Sequence, residues 1–313
     1  MSESAFRSAL FTDKDGLRRK RRRRLRIVVL LVVGWLVLNG TAAWLLVHPK
    51  RVAPFLRFED VAPAEGVGPA QRAFHAITRD GLKLAGTSFA PASPRGVVVF
   101  FHGYGGMRFS RMARIVSDWG YVGVAVDFRA HGESEGDAST IGWKERFDVE
   151  AVLDEVRGAW PGLPVAGWGL SMGGAALIYA TESTQKLDAV VLEAVYSDIA
   201  TAYWTRVKIV LPSWLAPLAY PAKVMAERFG GLNPEAMRPV VAIAALDGAK
   251  VMLVGGEQDK LCRPAELAAL AAALPTAKVR TIAGADHHNL WTIGGAAYLA
   301  DVRAFLDARM KSR

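Results

Sequence analysis

The sequence predicts an α/β fold, a mostly parallel central sheet with helices on both faces. Three observations carry that reading. From about Arg72 onward, continuous apolar runs rich in β-branched residues alternate with amphipathic stretches. Several of those runs are apolar at every position, as strands buried on both faces must be. In "PVAGWGLSMGGAALIYA" (164–180) an apolar strand meets an apolar helix at a glycine-rich corner that holds one serine, Ser171.

The elements follow in order. "RAFHAIT", the turn "RDG" and "LKLAGTSFA" read as a β-hairpin. "GVVVFF" (96–101) and "YVGVAV" (121–126) are buried strands, separated by the amphipathic helix "RFSRMARIVSDWG", which Gly120 closes. A helix follows over 142–160, with Phe147, Val149, Val152, Leu153 and Val156 as its apolar stripe. "PVAGWG" is the strand before the corner, and Met172–Thr181 the helix after it. Three more strands lie at 188–195, 250–256 and 278–284, with "PAELAALAAALP" and "AAYLADVRAFLDARM" as the last helices. Residues 196–246 contain no strand pattern but include Tyr203, Trp204, Trp214, Leu218 and Phe229. They fall between two strands on the edge where strand C-termini open, so a small helical cap insertion is expected there, with a surface excursion as the alternative.

The chain is 313 residues long and carries +9, which invites a nucleic-acid reading. The charge is local, however. Residues 1–26 hold ten Lys and Arg against Glu3, Asp13 and Asp15, a net +7, and the rest of the chain carries +2. A nearly neutral body argues against nucleic acid as a partner. The single cysteine, Cys262, excludes an intrachain disulfide.

The basic tail (1–26) runs into Ile27–Val47, 21 residues without a charge. As a helix they reach about 31 Å, the hydrocarbon thickness of a bilayer. Eight Lys and Arg crowd residues 18–26, against Lys50, Arg51 and Arg57 beyond the stretch. This predicts one N-terminal transmembrane signal-anchor over 27–47, with the N-terminus cytoplasmic and the body extracytoplasmic. A cleavable signal peptide ending at "TAA" is the alternative, and the apolar run through Trp44–Val47 argues against it. A Pro- and Ala-rich linker over 48–71 joins the span to a single domain over 72–313.

"GLSMG" (169–173) fits G-x-S-x-G, a nucleophile elbow. The turn is sharp, and the flanking glycines leave room for the neighbouring strand and helix. "GWGLSM" also begins like a dinucleotide fingerprint, but Met172 stands where the third glycine would be. A serine nucleophile needs a base, and the base an orienting carboxylate, in the chain order Ser, Asp/Glu, His. Asp259 follows the strand 250–256, and His287 and His288 follow the strand 278–284. Glu257 and Glu193 are fallback acids, and His288 is the alternative to His287. A metal-phosphoesterase reading of "DHH" (286–288) lacks further ligands at suitable spacing. "HGYGG" (102–106) directly follows a strand and suits an oxyanion loop, with the Tyr104 and Met172 N–H groups as donors.

With "HGYGG", "DFRAHGESEG", "GLSMG" and the pair "GGEQD"/"GADHHNLW" in this order, residues 72–311 resemble the α/β-hydrolase superfamily. The flavour is similar to bacterial serine hydrolases of the lysophospholipase and prolyl-oligopeptidase types. The resemblance implies the α/β-hydrolase fold and selects His287, four residues before Trp291, as the base. It implies a structural role for Asp127 and that His131 is not the catalytic histidine, and Ala130 stands where the family pattern has glycine. The implied triad is Ser171, Asp259 and His287, cleaving carboxylic esters, thioesters or lysophospholipid-like bonds through an acyl-enzyme with no cofactor and no metal. A serine peptidase or amidase is the first alternative, and a non-catalytic membrane-anchored binding module the second.

Overall fold

A computed structural model describes residues 3–52 and 70–311. The N-terminal helix α1 covers Glu3–Val47, so the basic tail is helical as well as the apolar stretch. Lys and Arg are good helix formers, and nothing between tail and span breaks the helix. Within it, Gly16–Val47 is long and apolar enough to cross a membrane. The short α2 (Pro49–Val52) follows. Of the expected linker, residues 53–69 lie outside the described residues.

Among the described residues eight strands form one sheet: β1 (Ala70–Ile77), β2 (Lys83–Ala90), β3 (Val97–Phe101), β4 (Val122–Val126), β5 (Val165–Leu170), β6 (Ala189–Glu193), β7 (Val251–Gly256) and β8 (Lys278–Ile282). Their order is β1-β2-β4-β3-β5-β6-β7-β8. The β1–β2 hairpin and the β2–β4 pair are antiparallel, and all other pairs are parallel. Strands β3, β4, β6 and β7 are buried at every residue. That is why they appear in the sequence as unbroken apolar runs rather than alternations.

The helices connecting β3 through β6 are α3 (Ser110–Asp118), α4 (Glu145–Ala159), α5 (Met172–Tyr179) and α6 (Thr181–Gln185). Helix α4 starts three residues later than the sequence pattern suggested. Gly142 sits at φ 108°, and the buried Glu145 carboxylate accepts from the Thr140 and Gly142 N–H groups, so that segment is a turn knotted around Glu145. Between β6 and β7 come α7 (Ile199–Val210), α8 (Tyr220–Gly230) and α9 (Pro239–Ala242), with no strand. Helices α10 (Pro264–Ala273) and α11 (Leu290–Arg309) complete the fold. Gly295, at φ 51°, kinks α11 where the sequence pattern placed its start.

The last turns of α1 lie against the body. Trp35 Nε1 donates to Leu218 O (3.0 Å), and the Ala222 N–H donates to Asn39 Oδ1 (3.1 Å). Near the end of the helix, Ser139 N–H donates to Val47 O (2.8 Å).

Candidate active site

Ser171 occupies the corner between β5 and α5 with φ 51° and ψ −112°. A non-glycine residue at positive φ is strained and persists only when its surroundings hold it. The surroundings are visible at the two glycines. A Cβ on Gly169 would lie 2.6 Å from the Gly173 carbonyl carbon, and one on Gly173 would lie 2.1 Å from Phe101 O. No larger residue fits either position. The Ser171 N–H donates to Glu193 O (2.7 Å), which ties the corner to the end of β6. Ser171 is 6% exposed.

The loop after β7 carries Asp259 and the loop after β8 carries His287, so topology brings both to the C-terminal edge of the sheet, where Ser171 stands. His287 Nδ1 donates to Asp259 Oδ2 over 2.8 Å. Asp259 Oδ1 accepts from the Leu261 and Cys262 N–H groups, both at 2.8 Å, which locks the carboxylate. A donating Nδ1 leaves Nε2 as the basic nitrogen of a neutral ring. Among the described residues, the structure joins His287 to Asp259 and records no hydrogen bond from the ring to the Ser171 hydroxyl.

The fallback acids are engaged elsewhere. Glu193 is fully buried and accepts from Trp291 Nε1 (2.8 and 2.9 Å) and from the Tyr298 hydroxyl. Burial pushes its carboxyl up to about 7 against the opposing effect of those donors. Glu257 accepts from the Gly284 N–H (2.8 Å). The His288 N–H donates to Asp286 Oδ1 (2.8 Å).

The glycine loop after β3 lies on the serine: a Cβ on Gly103 would come within 3.5 Å of Ser171 Cβ. Two buried histidines support this loop. His102 Nε2 accepts from the Phe128 N–H (2.9 Å), and His131 Nε2 accepts from the Gly105 N–H (3.1 Å). Burial pushes the His102 imidazole down to about 3, with His131 adding to the shift, so both rings serve as neutral acceptors. Asp127 accepts from Arg108 N (2.8 Å) and Nε (3.0 Å) and from Glu133 N (3.1 Å), and holds the turn in which Ala130 takes φ 58°. The alanine adopts the left-handed backbone that a glycine would take freely, and the Asp127 contacts hold it there.

The sequence did not reveal what the Tyr104 side chain does. Its hydroxyl donates to Leu46 O (2.7 Å), with Leu45 O at 3.2 Å. These are carbonyls in the last turn of α1, which have no partner within the helix. No motif links residues 58 positions apart, so only the folded chain shows this bond.

An open cavity of about 600 Å³ lies between α7 and the loop after β7. Thr201, Trp204, Lys208, Asp259 and Lys260 are among its walls, and Ser171 is not.

Comparison with known proteins agrees with this architecture. The family profile of serine aminopeptidases of the S33 type matches residues 92–235. A monoglyceride lipase from Homo sapiens is 32% identical over 120 residues, 36% of this chain and 40% of that protein. The matched part thus spans about two fifths of the curated relative. Among solved structures, an esterase from Pyrococcus furiosus superposes with a TM-score of 0.65 at 22% identity, covering 81% of this chain and all of that one. An acylaminoacyl peptidase from Pyrococcus horikoshii superposes at 0.60 with 17% identity, over 77% of this chain and 42% of that one.

Proposed function

We propose that the chain, which has the α/β-hydrolase fold and matches a serine hydrolase family profile over residues 92–235, is a serine hydrolase of carboxylic esters working through an acyl-enzyme. The observation that carries the reading is the strained Ser171 corner, built on the same sheet edge as the Asp259–His287 pair. His287 Nε2 takes the Ser171 proton as the oxygen attacks the acyl carbonyl. Asp259 holds the ring in the tautomer that makes this possible and stabilises the imidazolium. The Met172 N–H, at the first turn of α5, and the Tyr104 N–H face the developing oxyanion. His287 then returns the proton to the leaving alcohol, and water cleaves the acyl-enzyme by the same route.

Residues 196–246 serve as a cap over this edge in our reading, and α1 serves as a membrane anchor with the basic end in the cytoplasm. The likeness to a monoglyceride lipase favours an ester, and apolar side chains in the cap segment suit an apolar acyl group. Each buried methylene adds about 0.8 kcal/mol to binding. A peptidase reading is supported by the aminopeptidase profile and by the acylaminoacyl peptidase structure.

The test is labelling of the full chain by a fluorophosphonate probe, beside its Ser171→Ala variant. The native chain is expected to label and the variant to fold without labelling. Equal labelling of both sinks the assignment. The kcat/KM on p-nitrophenyl esters from acetate to decanoate is expected to rise over short to medium chains. A flat profile together with fast cleavage of aminoacyl amides would favour the peptidase.

A further inference from the structure

The uncharged stretch Ile27–Val47 is docked along much of its length. Trp35 bonds to Leu218, Asn39 bonds to Ala222, Gly40 meets Met225, and Val47 packs on Gly230. Both partners advance together, so α8 and the turn before it run parallel to the last turns of α1. Residues 27–34 are exposed at every position, and from Trp35 onward one face of the helix is covered while the other, Leu36–Leu38 included, stays open.

Eight helical residues reach about 12 Å, less than half of the roughly 30 Å of a bilayer's hydrocarbon. The helix cannot be lengthened at its other end, because Arg18–Arg26 holds eight basic residues. An α1 that spans a membrane must therefore place part of its docked length in lipid, and the docked partner goes with it.

That partner is built for such a place. From Ile209 to Ala222 the chain has no charged residue, and Lys208 and Lys223 mark the two ends. The stretch forms the end of α7, a turn and the start of α8, and it lies beside Trp35, about 18 Å before Val47 along the helix. Trp214 is 77% exposed, and Val210, Leu218 and Tyr220 also stand open. A contiguous apolar surface of this kind marks a contact with a partner or a membrane. Here the partner is set by continuity with α1, whose own outward side chains at this level, Leu36, Val37 and Leu38, are apolar and exposed. The exposed Lys208 at one end suits a lipid phosphate, with its stem lying along the apolar surface, while Lys223 at the other end is paired with Glu227.

We infer that the tip of the segment between β6 and β7, residues 209–222, is seated in the membrane leaflet on the side of the catalytic body, alongside the last turns of α1. The inference rests on the anchor reading given above. It deepens that reading, because the cap and the site beneath it then face acyl chains rather than water, and an amphiphilic ester can reach Ser171 from within the leaflet.

The experiment uses the full chain reconstituted in vesicles of phosphatidylcholine and phosphatidylglycerol. Cys262 is buried, so an environment-sensitive fluorophore reports on introduced thiols. The fluorophore is placed in turn on Leu31→Cys, Trp214→Cys, Leu218→Cys and Lys278→Cys. Lys278 begins β8, at the opposite end of the sheet from the site. The expected result is a blue shift at 31, 214 and 218, with several-fold more quenching there by lipid-borne nitroxide than at 278. Trp214 is exposed, so its replacement leaves the core intact and keeps the test valid if Leu218→Cys misfolds. Lipid contact at 31 with iodide quenching at 214 and 218 overturns the inference and leaves the anchor standing. Water exposure at 31 overturns the anchor and the inference with it. Shielding of 214 and 218 from both quenchers means a protein surface covers the tip, which also overturns it.

Discussion

At the scale of single residues, the Asp259–His287 pair and Glu193 make opposite predictions. Asp259 is held by two backbone N–H groups and one imidazole, so Asp259→Asn preserves shape while removing the charge that orients the ring. His287→Ala is expected to lower kcat by about 10³-fold or more, and Asp259→Asn by less, in steady-state ester hydrolysis. Damage from His288→Ala with His287→Ala harmless would move the base to the neighbouring ring. Glu193 belongs to stability instead. Its carboxyl is raised from 4.5 to about 7 in the fold, so between those values the folded chain holds a proton that the unfolded chain has released. Stability therefore falls as pH rises through that window. Glu193→Gln keeps an acceptor for Trp291 and Tyr298 and cannot ionise. Its melting temperature is expected to decline less than the native chain's from about pH 5 to 7. Asp148, also raised to about 7 by burial, keeps some slope in both. Parallel melting curves would mean that Glu193 is ionised in the fold throughout.

At the scale of elements, the corner is a packing arrangement before it is a chemical one. Helix α5 approaches β3 so closely that a Cβ on Gly173 would collide with the Phe101 carbonyl at 2.1 Å. Backbone cannot yield as a flexible side chain can. Gly173→Ala is expected to cost about 2–3 kcal/mol in urea unfolding and to move α5 away from the loop bearing Tyr104. Unchanged stability with full labelling at Ser171 would show that the helix has room to shift. The same close approach recurs at Gly123, where an added Cβ would meet Ala113 O at 1.9 Å, so α3 also lies directly on its strand. Gly173 was readable in the sequence as a place of close approach, Gly123 only as one residue of an apolar strand. Which neighbour each one admits follows from the strand order.

At the scale of the whole molecule, the body and α1 are one packed unit. The Tyr104 hydroxyl, the Ala222 N–H and the Ser139 N–H all bond to the last turns of α1. For topology, a C-terminal reporter active only outside the cytoplasm is expected to be active, and the chain to resist carbonate extraction. Release of a body shorter by about 43 residues would point to a cleaved signal instead.

The sequence by itself determined the strand count, the hairpin and the chain order of serine, acid and histidine. Those depend on local patterns: apolar runs for strands buried on both faces, glycines for a sharp corner, and loops directly after strands. The apolar length and flanking arginines of 27–47 were equally local. Only the tertiary structure decided what the long-range contacts do. It brought His287 onto Asp259, sent Glu193 to Trp291 and Tyr298, and set the Tyr104 hydroxyl against the end of α1. It also laid the uncharged tip 209–222 beside Trp35. The physical reason is the same in each case. A hydrogen bond between residues far apart in the chain leaves no periodicity in the sequence, and it exists only once the sheet has arranged which loops share an edge.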